Sequence, residues 1–376
     1  MKKIVVASDS FKGCLSSLEI VHFAEAGIRK VLPDCEIVGI PVADGGEGTT
    51  EALVDAMNGY RVSCEVHDPL MNPIMAAYGI LGDGVTAVIE MASASGLTLV
   101  PPEKRNPLLT TTYGTGEMIK DALSRGCRRF LIGIGGSATN DAGTGMLQAL
   151  GFRFLDKYGV ELDKGGKMLE QIAYIDSSKT LPDLQETDFT IACDVNNPFS
   201  GENGAAYVYA RQKGADDEMI VRLDKGLRQF ATIIDASTGK DIDTVSGAGA
   251  AGGLGGGFLA FLRARLKPGI QMVLEALDFD NRIRNADLII TGEGKLDRQT
   301  GMGKTPAGIL EAGKRLQIPV IAIGGVVEDA DLLLQQGFLA VFSIQPGPVS
   351  LEQAMDKEFA GKQVERMVEQ IIRIRI

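Results

Sequence analysis

The sequence of 376 residues has few of the side chains that carry the commonest nucleophilic and metal chemistry. It contains two histidines, His22 and His67, and both fall on predicted polar faces, where we expect them to be solvated. A Ser-His-Asp hydrolase, a Cys-His enzyme and a histidine-ligated metal site are therefore disfavoured. Any general base is expected to be a carboxylate.

Cysteines and long apolar runs are also scarce. The five cysteines lie at least twenty residues apart, without a CxxC pair, which predicts reduced and mostly buried thiols rather than disulfides or zinc ligands. The first apolar run covers only Ile4–Ala7, and no stretch approaches the roughly 18 apolar residues of a membrane span. We therefore expect no signal peptide, no membrane segment and a cytoplasmic protein.

Basic residues are outnumbered, since 38 lysines and arginines face 49 aspartates and glutamates, for a net charge of −11. Nucleic acid and anionic membranes would be repelled, so neither is an expected partner. An anionic small molecule is compatible with this charge if glycine backbone, a few lysines and Mg²⁺ supply local positive potential. Glycine is abundant, with 47 residues against an ordinary usage of roughly 7%.

The chain alternates short β-branched runs with helical patterns, which indicates βαβ units and a parallel sheet. Ser16 and Glu19 have the spacing of a capping box, and Gly82–Gly84 separates two strands of a predicted hairpin. We predict an α/β fold in which a Rossmann-like parallel-sheet domain, residues 1–64 and 268–376, is interrupted by a second α/β domain with mixed strands, residues 65–267. Within the latter we expect a helix from about Asn140 and a strand at Ala205–Ala210.

Six predicted strands are followed by glycine, carboxylate or amide side chains. In open α/β sheets ligands bind outside the carboxyl ends of the strands. A turn would account for any one of these segments alone, but six together favour a binding site. The segments are Asp9–Gly13, Asp44–Thr49, Gly135–Asp141, Asp194–Pro198, Gly292–Asp297 and Gly324–Gly325.

These residue types suit phosphoryl transfer, which needs glycine backbone near phosphates, carboxylates for a hard cation, a lysine and a base. Lys12 is the candidate for neutralising a transferred phosphate. Threonines before a predicted helix could bind an anion or simply cap that helix. The candidate carboxylates are Asp44, Glu47, Asp194, Glu293 and Asp297, and the threonines are Thr110, Thr111, Thr112 and Thr115.

Three glycine patterns offer other interpretations. Gly133–Ala138 and Gly247–Gly252 match the dinucleotide fingerprint, although neither match is specific by itself. A phosphate loop ending at Lys304 fails because Arg298 occupies its first glycine position, and Thr305 with Pro306 is explained as N-cap and first residue of a helix.

Seven segments in order resemble the bacterial glycerate kinases of the first structural type, with similarity running essentially from end to end. The resemblance implies phosphorylation of D-glycerate by ATP, usually at the 2-hydroxyl, in a cleft between a Rossmann-like domain and an inserted α/β domain. Cys14 and Met71-Asn72 depart from the common pattern without removing a candidate carboxylate or glycine. The segments are ASDSFKG (7–13), VADGGEGT (42–49), RNPLLTTTYGTGE (105–117), GIGGSATNDAGTGML (133–147), DVNNP (194–198), GAGAAGG (247–253) and TGEGKLDRQT (291–300).

On this resemblance we expect Mg²⁺-ATP and glycerate to meet between the domains. Lys12 and Asn197 would orient anionic groups, and Asp194 would accept or position the hydroxyl proton. The metal would be held by Asp44, Glu293 and Asp297. The expected substrate-binding or nucleotide-binding residues are Asp9, Ser10, Gly45, Gly46, Thr115, Gly135, Gly136, Ser137, Asn140, Asn197, Gly249 and Gly252. The alternatives are an NAD(P)-dependent hydroxy-acid oxidoreductase and a non-catalytic anion-binding protein.

Overall fold

The computed structural model describes residues 1–301 and 303–375. The chain divides into two compact units. Unit 1 consists of Met1–Asp44, Glu51–Asn58 and the chain from Ile270 onward, and unit 2 consists of Gly45–Thr50 and Gly59–Gly269. Each unit has a sheet of its own, which confirms the predicted α/β fold class.

Within the described residues, the strands are β1 (Lys3–Ser8), β2 (Glu36–Pro41), β3 (Tyr60–His67), β4 (Pro73–Ile80), β5 (Thr86–Glu90), β6 (Arg129–Gly133), β7 (Arg153–Leu155), β8 (Tyr174–Asp176), β9 (Asp188–Ala192), β10 (Arg263–Lys267), β11 (Leu288–Leu296), β12 (Val320–Val327) and β13 (Ala340–Ser343). The helices are α1 (Ser17–Arg29), α2 (Thr49–Ala56), α3 (Ala92–Ser95), α4 (Tyr113–Ser124), α5 (Thr144–Ala149), α6 (Ala205–Tyr209), α7 (Asp217–Thr238), α8 (Ala250–Phe261), α9 (Gly269–Ala276), α10 (Phe279–Arg282), α11 (Thr305–Arg315), α12 (Ala330–Gln336), α13 (Leu351–Ala354) and α14 (Lys357–Arg375).

Unit 1 is built on a parallel sheet of order β13-β12-β11-β1-β2. The predicted capping box starts α1: the Ser16 hydroxyl accepts the Glu19 N–H at 3.2 Å, and the Glu19 carboxylate accepts the Ser16 N–H at 2.8 Å. The buried face of α1 includes Ile20, Ala24 and Ile28, which join the core with apolar residues of α14. Local capping and a helical apolar stripe thus place α1 against this sheet.

Unit 2 is built on a mixed sheet of order β10-β9-β6-β5-β4-β3. The strands from β10 to β5 pair in parallel, whereas β5, β4 and β3 pair antiparallel, which confirms the predicted hairpin at Gly82–Gly84. The short strands β7 and β8 form a separate antiparallel pair. None of the helices found among residues 1–301 and 303–375 has the length and apolar character needed to cross a bilayer.

The division into units differs from the domain boundaries expected from the sequence. The expected boundary between residues 64 and 65 lies inside β3, which pairs with β4 along its whole length from Tyr60 to His67. A strand joins its sheet through its full ladder of hydrogen bonds. All of β3 therefore belongs to unit 2, as does the chain up to Gly269.

Two element predictions in unit 2 were wrong. Ala205–Ala210 is not a strand: α6 runs over Ala205–Tyr209, burying Ala205 and Ala206 while Tyr207 stays exposed. Two consecutive buried residues are incompatible with the alternating faces of a half-buried strand. The helix expected from Asn140 begins at Thr144, because Ala142 and Gly143 adopt left-handed backbone first.

The thiols agree with the sequence prediction, and one histidine does not. All five cysteines are free, and Cys14, Cys35 and Cys127 are buried. The prediction that His67 is solvated was wrong: its ring is half-buried, with Nδ1 at 2.9 Å from a Glu117 carboxylate oxygen. His22 is exposed, as expected.

Candidate active site

A cavity of about 650 Å³ lies at the carboxyl ends of the unit 1 strands. It is bounded by the ends of β1, β11 and β12 and by the segment after β13. This is where open parallel sheets bind ligands. The predicted site residues that line it are Asp9, Ser10, Lys12, Asp44 and Glu293.

Asp9 is the most deeply buried carboxylate of this cavity, at 4% exposure. It accepts the Ser10 N–H at 2.7 Å and the Thr305 hydroxyl at 2.9 Å. Burial, followed by the neighbouring charge of Asp44, raises the pKa of Asp9 to about 6, although both hydrogen bonds and Lys12 favour its ionised form. The Asp9 carboxyl is therefore suited either to pair with a bound cation or to hold a proton.

Glu293 lies within β11 rather than in the loop expected from the sequence, because that strand extends to Leu296. Its carboxylate accepts the Thr300 hydroxyl at 2.5 Å and lies 3.9 Å from the Lys304 ammonium. Burial raises the pKa of Glu293, and the charges of Asp297 and Asp44 add to that effect, while Thr300 and Lys304 oppose it. Several carboxylates thus share one electrostatic environment, which a cation would stabilise.

These residues suit a metal ion that is held by one or two carboxylates together with water and substrate phosphates. Among the described residues, no three histidine, cysteine, aspartate or glutamate side chains are arranged as a ready metal cage. Asp297 lies 3.5 Å from the Lys295 ammonium and accepts the Gln299 N–H. Mg²⁺ in phosphoryl-transfer sites is typically held by one or two carboxylates together with water and substrate phosphates. Asp44 and Glu293 fit that chemistry, since Glu293 is buried with its ionisation already disfavoured.

In unit 2, the loop after β6 closes around Asp141, which has no solvent exposure. Its carboxylate accepts the Thr112 N–H at 2.8 Å, the Thr112 hydroxyl at 2.9 Å and the N–H groups of Gly143 and Gly145 at 3.2 Å. Burial raises the pKa of Asp141 against these hydrogen bonds. The loop is therefore fixed from within by one buried acceptor.

Lys213, in the segment between α6 and α7, binds the same loop from a distant part of the sequence. The residue is 2% exposed, and its ammonium donates to the Ser137 hydroxyl at 2.7 Å and to the Thr139 carbonyl at 2.6 Å. Asn140 is fully buried, and neither polar atom of its side chain has a hydrogen-bond partner in the described part of the chain. Buried polar groups without partners are rare and often mark sites that bind a further group.

A kink in the first turn of the glycine-rich helix α8 completes this region. Ala251, Gly252 and Gly253 all have left-handed backbone, and the Gly252 carbonyl accepts the Ala142 N–H at 3.0 Å. A Cβ on Gly252 would lie 2.1 Å from the Thr139 carbonyl oxygen, so only glycine fits there. Gly135 and Gly136, in contrast, are exposed at the start of the loop.

Asp194 and Gly45 both lie against Gly269 in unit 2. The exposed Asp194 carboxylate accepts the Gly269 N–H at 2.9 Å, and a Cβ on Gly45 would lie 2.6 Å from Gly269 Cα. Gly46 accepts the Thr49 N–H at the start of α2. Asp194 is thus oriented by backbone while remaining accessible to solvent.

Three predicted residues are engaged in local packing. The Thr115 hydroxyl is buried and lies 2.8 Å from the Ser95 hydroxyl. Asn197 donates to the Asn203 carbonyl at 2.8 Å and accepts the Tyr209 hydroxyl at 2.6 Å. A Cβ on Gly249 would lie 2.1 Å from the Pro198 carbonyl oxygen. These contacts account for the residue types without a ligand.

The predicted residues therefore form two groups. Asp9, Ser10, Lys12, Asp44 and Glu293 come together in unit 1, with Asp297 beside them. The others belong to unit 2, where Ser137, Asn140 and Gly252 lie in one cluster and Gly45 with Asp194 in another.

Sequence reasoning missed four residues of these groups. Thr300 and Thr305 bind predicted carboxylates, and Lys304 and Lys213 supply positive charge. The prediction for Thr305 was also wrong in detail: Lys304 is the N-cap, and Thr305 is the first helical residue. Lys304 belonged to the rejected phosphate-loop pattern and was a signal that could have been followed, whereas nothing around Lys213 in the sequence marks it.

Comparison with known proteins gives consistent matches. Residues 4–375 match the model of the glycerate kinase family. A Bacillus subtilis (strain 168) protein named glycerate kinase is 50% identical over 98% of this chain and 96% of its own length. An Escherichia coli (strain K12) protein named glycerate 2-kinase is 47% identical over 94% of this chain and 93% of its own. A crystal structure described as "putative glycerate kinase 2 from Salmonella typhimurium LT2" superposes with a TM-score of 0.92, at 44% identity, over 99% of this chain and 98% of that one.

Proposed function

Because the chain belongs to the glycerate kinase family, we propose that it phosphorylates D-glycerate with ATP at the 2-hydroxyl, giving 2-phosphoglycerate and ADP. As a member of this family it is a kinase that transfers a phosphoryl group to an alcohol. The name of the Escherichia coli relative favours the 2-hydroxyl. The observation that carries the proposal is the meeting of carboxylates with Lys12 and Lys304 in one cavity of unit 1.

We assign the nucleotide phosphates to the charged side of that cavity. Lys12 and Lys304 would neutralise phosphate oxygens, and Ser10 would donate its hydroxyl. Asp44 and Glu293 would hold Mg²⁺, with the negative charge of Asp297 nearby. Mg²⁺ supplies positive charge that stabilises the transferred phosphoryl group. The raised pKa values of Asp9 and Glu293 support this assignment, because a cation would remove the cost of their ionisation.

We assign the acceptor to residues of unit 2. Asp194, accessible and oriented by the Gly269 N–H, would take the proton of the reacting hydroxyl. The unpartnered amide of Asn140 and the exposed backbone of Gly135 and Gly136 are candidates for binding the glycerate carboxylate and hydroxyls. Transfer in a cleft between the two domains stays a prediction. A cytoplasmic location and small-molecule partners alone, without nucleic acid, belong to the same proposal.

The alternative functions receive less support. Gly133–Ala138 begins at the last residue of β6, but α5 starts only at Thr144, and Gly247–Gly252 follows no strand directly. A dinucleotide fingerprint requires the strand–turn–helix arrangement at the glycines themselves. A non-catalytic anion-binding protein would not need several carboxylates around its ligand.

The test is ³¹P NMR of the purified protein with Mg²⁺, ATP and D-glycerate. A new phosphomonoester doublet, split by the single proton on C2, is expected. A triplet would move the acceptor to the 3-hydroxyl and keep the kinase. Intact ATP in the presence of folded protein would refute the proposed reaction.

Asp194→Asn tests the proposed base. Removing a general base typically lowers turnover by about 10²–10⁴-fold, so we expect a loss of this size with an unchanged fold and little change in ATP affinity. Asp235→Asn, on the exposed side of α7, is the matched control and should keep wild-type turnover. Near-normal turnover of Asp194→Asn would remove Asp194 from the mechanism.

A further inference from the structure

The unit 1 cavity has two chemically different ends. Its charged end contains Asp9, Glu293 and Lys304, at the ends of β1 and β11 and before α11. Apolar side chains line the rest of the cavity, namely Val326 of β12, Ile344, Pro348 and Val349 after β13, and Leu351 and Met355, the last of which also lies close to Gly13 in the loop after β1. Four neighbouring strands at about 4.8 Å spacing span roughly 14 Å, so an elongated ligand could contact both ends.

Glycine backbone lies between the two ends. Gly294 and Gly325 both line the cavity, and a Cβ on Gly325 would lie 2.8 Å from the Gly294 carbonyl oxygen. At these two positions the cavity wall is backbone without side chains, against which a flat group can lie. Apolar side chains nearby stay uncovered: Val326 is 50% exposed and Leu351 is 78% exposed. Exposed apolar residues grouped around a cavity are typical of ligand-binding surfaces.

Among the described residues that line this cavity, Gln345 is the one with a side-chain amide. Its backbone is fixed by Ser343, whose hydroxyl accepts the Gln345 N–H and donates to the Gly325 carbonyl, both at 3.2 Å. The side-chain oxygen Oε1 is buried and has no hydrogen-bond partner. A buried acceptor without a donor is unfavourable, so a ligand that brings a donor gains from it. The terminal torsion of glutamine is soft and allows Oε1 to turn toward a ligand.

We propose that the apolar end receives the adenine base of ATP and that the 6-amino group of adenine donates a hydrogen bond to Gln345 Oε1. The base would lie on the glycine backbone between apolar side chains, with the triphosphate directed to Lys12 and Lys304. An aromatic ring with an exocyclic amino group matches an apolar slot with one unsatisfied acceptor. This inference rests on the proposed function, which requires a nucleotide, and adds the location and recognition of its base.

The test compares ATP with purine riboside 5′-triphosphate, which differs only by lacking the 6-amino group. Affinities are measured by titration calorimetry with Mg²⁺ and without glycerate, so that no turnover occurs. Wild type should bind ATP about tenfold more tightly than the analogue, the effect of one hydrogen bond. Gln345→Leu should weaken ATP about tenfold and leave the analogue within about twofold, so that the ratio of affinities falls to about one.

The matched control is Gln353→Leu, an exposed glutamine of α13 that does not line the cavity, which should keep the wild-type ratio. If Gln345→Leu does not fold, Gln345→Asn, which withdraws the amide by one methylene, takes its place. Its ratio of the affinities for ATP and the analogue should likewise fall to about one. A ratio that persists in the folded Gln345 variants, or that is absent in wild type, would overturn this base site. A ³¹P doublet from the same preparation would then leave the proposed reaction intact, whereas failure of both nucleotides to bind, together with absent turnover, would refute both proposals.

Discussion

The Lys213 ammonium lies 2.7 Å from the Ser137 hydroxyl, although the two residues are 76 positions apart in the sequence. Both side chains are buried, and the same ammonium donates to the Thr139 carbonyl. Burial lowers the pKa of Lys213 to about 7, and the nearby charge of Asp141 only partly opposes this. The contact therefore joins the segment between α6 and α7 to the loop after β6. The burial that this contact requires disfavours the charged form of the lysine.

Lys213→Met should alter the pH dependence of stability. Between about pH 7 and 10, the unfolded chain holds a proton on Lys213 that the folded protein has lost, so wild-type stability gains up to about 1.4 kcal/mol per pH unit from this group. In urea unfolding at pH 7.5, 8.5 and 9.5, the free energy of unfolding of the wild type should rise relative to that of the variant as pH increases. Lys225→Met, on an exposed position of α7, should follow wild type. A difference between wild type and Lys213→Met that does not change with pH would contradict the lowered pKa.

Asp9→Asn should stabilise the fold and impair the reaction. The folded carboxyl has a pKa of about 6 against 3.8 when unfolded, so its ionisation costs the folded state about 3 kcal/mol at pH 7.5, and this cost vanishes as pH falls below the unfolded value. The variant's stability advantage should therefore shrink by about 2 kcal/mol between pH 7.5 and 4.5 in urea titrations. Its kcat/KM should fall at all pH values, because a site carboxylate is lost. Asp331→Asn, exposed on α12, is the control, and an advantage independent of pH would count against the assignment.

Thr300→Val should move the acid side of the kcat/KM profile to higher pH. The Thr300 hydroxyl donates to Glu293 and so lowers the pKa of a carboxyl that burial has raised. Without this donor Glu293 protonates at higher pH, which shifts the acid limb of the profile upward. Thr300→Ser keeps the hydroxyl and should keep the wild-type profile. An identical profile in the valine variant would show that ionised Glu293 is not required.

Gly252→Ala and Gly239→Ala separate close packing from backbone conformation. Both glycines have φ of +70°, but a Cβ on Gly239 meets nothing within 4 Å, whereas one on Gly252 would lie 2.1 Å from the Thr139 carbonyl oxygen. We expect Gly239→Ala to cost about 1 kcal/mol, the ordinary penalty of a left-handed alanine. Gly252→Ala should cost at least about 3 kcal/mol and abolish activity by displacing the loop after β6. Equal costs measured by denaturant unfolding would contradict the close approach.

Features set by neighbouring residues could be predicted from the sequence. The capping box of Ser16 and Glu19 and the hairpin at Gly82–Gly84 depend on side chains within a few positions of one another. The residue types at the strand ends likewise pointed to Asp9, Lys12, Asp44 and Glu293, which line one cavity. Where local patterns are ambiguous, as in the apolar segment Ala205–Ala210, packing against α7 and α8 decided for a helix.

The sequence by itself determined the α/β fold class, the family and a list of carboxylates, glycines and lysines suited to phosphate chemistry. Only the tertiary structure decided that the predicted strand ends belong to two sheets, that Thr305 binds Asp9 across 296 positions, and that a buried lysine fixes the loop after β6. The physical reason is range: caps, turns and apolar stripes act between residues close in the chain, whereas burial, pKa shifts and hydrogen bonds between distant segments exist only once the sheets have brought those segments together.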